Sequence, residues 1–289
     1  MLQSLIWPVA KRFVGGRSIP EVLEKSRALK SLGYKIILSS ASEHIGHGDT
    51  SRILKVKNEY CGLIRHLDEG DKVAIKLSQF GLIKARSVSE KWEALPHLTE
   101  VLERAREKNI QVAFDAEYLT DREFYSDFLS TLWKAGFHNI ERVIQAYGPS
   151  WDWGWFIDKC ASVPMPARVC MGAYKSDPAA FSFKRDYNVI NYQYNCAVAK
   201  FLSLGIPVEI ATGNAERIDF WTKRTAHMPS ARFSMLLGVR PDIARKLKET
   251  GRAPYIYLLF GSDWFPYFKR RILENPHYIL LPFEKKENY

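Results

Sequence analysis

Cysteine is scarce in this sequence, and long apolar runs are missing from it. The 289 residues include four cysteines and no CxxC pair, a spacing that fits neither a disulfide framework nor a zinc site. No apolar run approaches the roughly 18 to 20 residues of a membrane span, and the apolar stretch at the N-terminus is too short for a signal peptide. These absences predict a soluble protein of a reducing compartment, the cytoplasm.

Acidic residues are outnumbered, with 32 Asp and Glu against 42 Lys and Arg, which gives a net charge of +10. Such a balance attracts nucleic acid, anionic lipid, acidic substrates or phosphate-bearing cofactors. The basic residues are spread over the predicted helices, with one tight cluster at residues 269–271 and no long basic tail. Nucleic-acid binding, which would show as salt-sensitive DNA retention, is therefore disfavoured. Contact with a membrane surface stays open.

What the sequence does contain is an alternation of strand-like and helix-like segments, at an ordinary composition for a globular protein. Eight short apolar runs are read as strands, at residues 34–38, 72–77, 111–114, 142–146, 167–170, 207–211, 232–237 and 255–259. Helical patterns are predicted at residues 18–30, 96–108, 122–135 (with Thr120 as N-cap), 188–204, 241–250 and 264–274, several of them ended by glycine.

Eight strand and helix units in one chain favour a parallel, TIM-like (β/α)8 barrel of the α/β class with extra N-terminal helices. The alternative is an open doubly wound sheet, and the absence of a GxGxxG motif after the first strand weakens that alternative. A single domain is expected over residues 1–289, with a helical segment at 1–32 and the barrel at 33–281.

Polar residues close or interrupt several of the predicted strands. Lys76, Asp115 and Gln145 stand at strand ends, and Arg168 and Tyr257 lie within strands. In a (β/α)8 barrel the carboxyl ends of the strands form the active-site face, so these residues are candidates for a site. Each also has a structural interpretation: a buried ion pair between Lys76 and Asp115, a core amide, barrel packing, or, for Arg168, a surface position.

The last predicted helix carries the sharpest pattern. Tyr267, Arg270, Arg271 and Glu274 fall at i, i+3, i+4 and i+7 and therefore share one face. Two arginines on an inward face are costly without an anion, and guanidinium groups bind carboxylates bidentately. The alternative is a solvated basic stripe in which Glu274 is the ion-pair partner.

Metal binding is not predicted. His44 and His47 form a loose pair after the first strand, but no carboxylate-rich partner set stands near them in the sequence.

These segments together resemble the proline dehydrogenase family along nearly the whole chain, from about residue 10 to 281. The motifs follow the family's order: IKLSQ, FDAEY, VIQAY, RVCMGAYK, NYQYN, IPVEIATGN, MLLGV, IYLLFG and WFPYFKRRILEN. The last of them is the most specific, because the family's signature is a tyrosine, two residues and then an arginine pair on the final barrel helix.

The resemblance implies an FAD-dependent enzyme that oxidises L-proline to Δ1-pyrroline-5-carboxylate, by hydride transfer from the proline C5 to the flavin N5. Electrons would pass to a quinone-type acceptor, which implies peripheral contact with the inner face of the membrane. The implied substrate and catalytic residues are Lys76, Arg270 and Arg271 around the carboxylate, Tyr174, Tyr257 and Tyr267 around the ring, Asp115 as an orienting group, and Glu43 as the gating partner of Arg270.

The implied cofactor-binding residues follow the fourth to sixth strands and include one from the last helix. They are Gln145, Arg168, Cys170, Gly172, Ala173, Lys175, Thr212, Asn214 and Glu274. In the family pattern, Arg168 lies by the flavin's central ring and Gln145 by its pyrimidine edge. Gly172 and Ala173 permit close backbone approach, and Thr212, Asn214 and Glu274 contact the ribityl, phosphate or adenosine parts.

The sequence also departs from the family pattern, mainly where the cofactor is expected. Met171 replaces a lysine, Gly213 replaces a histidine, and Ser39 replaces an aspartate. Two further hypotheses therefore stay open: a relative that acts on another cyclic imino acid, and a flavin-free barrel that binds or senses proline. Tyr257 argues against hydroxyproline, because a smaller residue would be needed to admit the hydroxyl group.

Overall fold

Eight parallel strands form a closed barrel. The structure is a computed structural model that describes residues 2–83, 88–148, 152–172 and 187–274. The strands follow one another around the barrel in chain order. They are β1 (Lys35–Ser40), β2 (Lys72–Lys76), β3 (Gln111–Asp115), β4 (Ile140–Gln145), β5 (Ala167–Cys170), β6 (Val208–Ala211), β7 (Ala231–Leu236) and β8 (Tyr255–Phe260). The predicted (β/α)8 architecture is confirmed.

The strands form where the apolar runs predicted them, because parallel strands are covered on both faces and need apolar residues throughout. Every residue of β2 and of β4 is buried. Lys76, Asp115 and Gln145 are the last residues of β2, β3 and β4. Polar side chains therefore come at the carboxyl ends of these strands, as a barrel-type site requires.

Helices alternate with the strands. Within the described ranges they are α1 (Leu2–Ala10), α2 (Ile19–Ser31), α3 (Thr50–Ile64), α4 (Val88–Glu107), α5 (Arg122–Lys134), α6 (Trp153–Ala161), α7 (Tyr187–Ser203), α8 (Ala215–Arg224), α9 (Pro241–Glu249) and α10 (Trp264–Glu274). The N-cap prediction for α5 was wrong: Asp121 occupies that position, and Thr120 lies in a 3-10 turn over Leu119–Asp121.

The chain divides into two compact units. Unit 1 combines the chain up to Ile110 with the chain from Met235 onward, and unit 2 runs over Gln111–Ser234. In unit 1, β1 pairs with both β2 and β8. In unit 2, β3 to β7 pair with their neighbours in sequence.

Unit 1 also ties the segment after α1 to β8. Gly15 N donates to Leu259 O at 2.7 Å, and Gly16 forms a parallel bridge to Phe260. At Gly238, with a φ of +75°, a Cβ atom would lie 2.3 Å from Arg12 O. Only glycine permits this approach.

An aromatic cluster joins α1 and the turn that follows it to α10 within unit 1. The ring centroids of Trp7 and Trp264 are 5.2 Å apart, and those of Phe13 and Phe268 are 6.3 Å apart. Such tilted pairs add to the apolar burial between the two helices. The helix that carries the arginine pair is thereby anchored on its apolar side.

Candidate active site

The candidate site within unit 1 centres on Lys76, a buried cation at the end of β2. Its Nζ lies 3.4 Å from Glu43 Oε1, and the two side chains are 7% and 13% exposed. Glu43 Oε2 lies 3.7 Å from His44 Nε2. Within the described part of the chain, Lys76 Nζ has no hydrogen-bond acceptor. A buried ammonium group with one ion pair and no hydrogen bond favours a further anionic partner.

Two of the predicted ring-contacting tyrosines meet in unit 1. Tyr267 is buried in a cluster with Ala41 and Leu259, and Tyr257 packs against that cluster. Ala41 stands two residues before Glu43. The apolar cluster therefore includes Ala41, from the segment that carries Glu43.

The arginine pair lies on α10, whose backbone the structure describes from Trp264 to Glu274. Arg270 and Arg271 follow Tyr267 by three and four residues, so the helix brings the three positions to one face. The side chains of Arg270, Arg271 and Glu274 lie outside the described part, as do residues 173–175 entirely, namely Ala173, Tyr174 and Lys175. Their predicted roles, including the ion pair between Glu43 and Arg270, stay predictions.

The candidate site within unit 2 centres on Arg168, which is buried within β5. Its Nη2 donates to Asp115 Oδ1, and its Nε lies 3.9 Å from Glu209 Oε1. One guanidinium group is thus flanked by carboxylates from β3 and β6. The surface interpretation of Arg168 is excluded, and Asp115 has Arg168 as a charge partner.

Gln145, at the end of β4, and Gly172, just after β5, lie close together. Gln145 Nε2 donates to Glu117 O. Gly172 has a φ of +109°, and a Cβ atom there would lie 2.7 Å from Tyr147 Cβ and 3.1 Å from Gln145 Oε1. Only glycine allows the backbone to run this close to the Gln145 amide. Cys170, the last residue of β5, is half-buried and is the register partner of Gln145.

Thr212 and Asn214 hold the start of α8. Asn214 Oδ1 accepts from Arg217 N at 2.8 Å, which is an N-cap bond. Thr212 Oγ1 accepts from Asn214 N at 3.1 Å and from Arg217 Nη1 at 3.0 Å. The two predicted cofactor residues are therefore tied to a buried arginine that the sequence analysis missed.

That arginine stacks on a buried phenol. The guanidinium carbon of Arg217 lies 4.4 Å from the ring centroid of Tyr194. Burial raises the pKa of Tyr194 above its ordinary value, so the phenol stays neutral. Arg217 Nε is buried without a hydrogen-bond acceptor in the described ranges.

Several functional neighbours escaped the sequence analysis. Glu209 sits within the VEIA strand, where its alternation with apolar neighbours was the available signal. Gln79 follows β2 by three residues, and its side-chain Oε1 accepts from Lys76 N at 3.0 Å. The residues around Gln79 in the sequence do not indicate that its side chain accepts this bond.

No helix among the described residues is both long and apolar enough to cross a membrane.

Comparison with known proteins places this arrangement in a family. A sequence model of the proline dehydrogenase family matches residues 22–278. Proline dehydrogenase 1 of Bacillus subtilis (strain 168) is 28% identical over 275 residues, which cover 92% of this chain and 87% of the relative. Proline dehydrogenase of Deinococcus radiodurans is 26% identical over 281 residues, which cover 94% and 87%.

A solved structure supports the fold. Proline utilization A from Bdellovibrio bacteriovorus, inactivated by N-propargylglycine, superposes with a TM-score of 0.78 at 17% identity and covers 95% of this chain. This chain spans about a third of that protein, 33% of its length. With the family model matched over most of its length, the chain belongs to the proline dehydrogenase family, and it is an enzyme of proline oxidation.

Proposed function

We propose that this enzyme binds FAD, oxidises L-proline to Δ1-pyrroline-5-carboxylate and passes the electrons to a quinone-type acceptor. The observation that carries the substrate part is Lys76. Its buried ammonium group has one carboxylate at 3.4 Å and no hydrogen-bond acceptor in the described part of the chain. Such a cation at the end of a barrel strand suits the carboxylate of an amino acid.

The carboxylate is held by Lys76 together with Arg270 and Arg271. Arg270 and Arg271 occupy neighbouring positions on one face of α10, and guanidinium groups bind carboxylates with two parallel hydrogen bonds. Asp115 acts on the flavin side through its bond to Arg168. The ring of proline is covered by Tyr257 and Tyr267, which combine apolar area with a polar tip.

The unit 2 residues suit a flavin by the chemistry of their donor set. Arg168 supplies a fixed cation, Gln145 supplies an amide, and Gly172 keeps the backbone close to that amide. Thr212, Asn214, Cys170 and Glu274, with Ala173 and Lys175, complete the proposed contacts. Bound FAD would supply the hydride acceptor, which no protein side chain can provide. The protein orients the substrate, and no strong base is required because the amine can lose its proton to solvent.

A quinone acceptor implies visits to a membrane surface. The net charge of +10 supports attraction to anionic lipid. Retention on vesicles that contain anionic phospholipid, and release by salt, would test this part separately from the chemistry.

The visible absorption spectrum of the purified protein tests the central proposal, before and after addition of L-proline without oxygen. Flavin bands that bleach with proline establish cofactor and substrate together. Flavin bands that persist with proline but bleach with another cyclic imino acid show that this other compound is the substrate. A protein that takes up no flavin from added FAD yet binds proline overturns the redox proposal in favour of a proline-binding barrel, which the replacement of a histidine by Gly213 motivates.

A further inference from the structure

The side-chain amide of Gln79 is fully buried and uses its whole hydrogen-bonding capacity. Its Oε1 accepts from Lys76 N at 3.0 Å and from the Tyr60 hydroxyl at 2.9 Å. Its Nε2 donates to Ser40 O at 3.0 Å and to Ser42 O at 2.9 Å. An amide has two acceptor sites and two donors, and each has a partner; the single proton of the Tyr60 hydroxyl is shared between Gln79 Oε1 and Ala74 O. Because its partners are a backbone N–H on one side and two carbonyls on the other, the orientation of the amide is determined.

Three of these bonds join two segments that both lead to the site, and the fourth reaches Tyr60 in α3. Ser40 is the last residue of β1, and Ser42 directly precedes Glu43. Lys76 is the last residue of β2. The amide of Gln79 therefore links the backbone that carries Glu43 to the backbone that carries Lys76.

Further bonds join the same two segments nearby. His44 N donates to Ser78 Oγ at 3.2 Å, and Ile45 N donates to Ser78 O at 3.0 Å. At Gly81, with a φ of +71°, a Cβ atom would lie 2.9 Å from His47 Cα. The turn over Leu77–Phe80 and the loop after β1 thus approach closely, with Gln79 as their central connection.

We propose that Gln79 is a positioning residue for recognition of the substrate carboxylate, because it sets the relative position of Glu43 and Lys76. The inference rests on the proposed role of Lys76 in binding that carboxylate. The ion pair at 3.4 Å lacks hydrogen-bond geometry, so no hydrogen bond between the two side chains sets their separation. The amide of Gln79 fixes the backbone of Ser42, next to Glu43, relative to the backbone of Lys76.

A purely structural role would act differently. Loss of a buried hydrogen-bonded amide lowers stability in either case, since the partners lose their bonds. A positioning role also weakens substrate binding at temperatures where the variant is folded, because small displacements of binding groups have large effects. The substrate residues act before the oxidation step, so the Michaelis constant rises while the turnover number changes little.

The test uses full-length, FAD-loaded Gln79→Met, with L-proline kinetics, thermal unfolding and calorimetric binding of the ring-oxygen analogue of proline. That analogue keeps the carboxylate and lacks the amine, so it reports carboxylate recognition without turnover. We expect the KM for proline and the Kd of the analogue to rise about tenfold or more, with kcat within about twofold. An unchanged KM in the folded variant overturns the proposal.

Tyr60→Phe is the matched control. It removes a hydroxyl group that bonds to the same amide, to Ser40 N and to Ala74 O, but leaves the bonds of Gln79 to Lys76 N, Ser40 O and Ser42 O. We expect a lower melting temperature and a KM within about twofold of the wild type. A KM that rises equally in Tyr60→Phe at equal loss of stability shows that the effect follows stability, and it overturns the proposal.

Gln79→Glu serves where the methionine variant does not fold. It retains an acceptor for Lys76 N, but a carboxyl group has at most one O–H donor and cannot reach both carbonyls with a hydrogen bond. We expect an intermediate rise in KM, and an unchanged KM again overturns the proposal. If the wild type itself does not oxidise proline, the proposed function fails as well; if it does and the Gln79 variants match its KM, only this inference fails.

Discussion

The two units differ in the contacts made by a buried cation in each, Lys76 in unit 1 and Arg168 in unit 2. In unit 1, Lys76 faces one carboxylate at 3.4 Å, without a hydrogen-bond acceptor among the described residues. In unit 2, Arg168 donates to Asp115 and also lies beside Glu209. The lysine is held loosely by its partner, whereas the arginine is fixed between two acids.

This difference separates an adaptable charge from a permanent one. A cation with a single, imperfectly bonded partner can exchange that partner for an incoming anion at modest cost. A cation that is bonded to one carboxylate and flanked by a second gains little from a third carboxylate. The third carboxylate would also lie near the negative charges of the first two. We therefore expect unit 1 to recognise the substrate carboxylate, and unit 2 to present a fixed electrostatic environment to a neutral ring system.

Lys76→Met is expected to have the largest effect. It removes the cation and leaves Glu43 buried without it, so the KM for proline should rise about 10²- to 10³-fold, or about 3–4 kcal/mol. Flavin content should stay near that of the wild type. Steady-state kinetics and absorbance spectra measure both. Lys72→Met, at the other end of β2, is the control and should change the KM by less than about threefold; equal effects would remove the distinction between the two lysines.

Arg168→Met is expected to change stability and flavin binding in unit 2. Removal of the cation leaves Asp115 and Glu209 without it, at a cost of about 3–5 kcal/mol for a buried ion pair. We expect a lower melting temperature and loss of flavin on gel filtration, with the affinity for the ring-oxygen analogue retained. A variant that keeps its flavin but loses carboxylate affinity would contradict the division between the units.

Arg142→Met is the control for that variant. Arg142 is 1% exposed in β4, and its guanidinium nitrogens have no hydrogen-bond acceptor within the described residues. The substitution removes a buried charge without taking a hydrogen bond from a carboxylate, so stability should be equal or higher. Flavin content should not change.

Glu43→Gln tests how the charge of Glu43 affects ligand binding by Lys76. Neutralising the partner leaves Lys76 with its full charge for the ligand, so the analogue should bind about fivefold more tightly, a modest coupling of about 1 kcal/mol. If Glu43 acts mainly as a gate closed by Arg270, the analogue should bind more weakly instead. Calorimetric titration distinguishes the two directions.

Glu59→Gln should have the smallest effect, and it depends on pH. Burial raises the pKa of Glu59, against the bond that Ser40 Oγ donates to it at 3.0 Å. The folded protein therefore binds this proton more tightly than the unfolded chain, whose glutamate pKa is about 4.3, and stability falls as pH rises above that value. The variant should unfold a few degrees higher at pH 8, with a difference that vanishes near pH 4. A difference independent of pH would exclude this cause.

The strands were predictable from sequence because burial on both faces leaves a continuous apolar signal. β5 was predicted over its full range, and β1 and β4 within two residues at each end. Helix α3 was not predicted, although its buried residues Ile53, Val56, Tyr60 and Ile64 recur at helical spacing. The pattern was present in the local sequence and was missed.

The site was predictable only in part. Lys76 and Asp115 were visible as polar residues at the ends of apolar strands. Their ion-pair partners were not predicted from the sequence pattern. Lys76 pairs with Glu43 and Asp115 pairs with Arg168, and in each pair the two residues come from segments that are distant in sequence. Gln79 was invisible as well, since four hydrogen bonds to three separate segments cannot be derived from its neighbours in sequence.

The discontinuity of unit 1 has a consequence for how the chain folds during synthesis. β1 lies beside β8, with Lys35 opposite Tyr255, so this edge of β1 stays unpaired until the last strand of the barrel has been synthesised. Unit 2 is one continuous stretch whose strands pair with their sequence neighbours, and such local pairing closes quickly. Until β8 emerges from the ribosome, the exposed edge of β1 is open to association with other chains. Production at low temperature or with chaperones should therefore improve yield more than any change within unit 2.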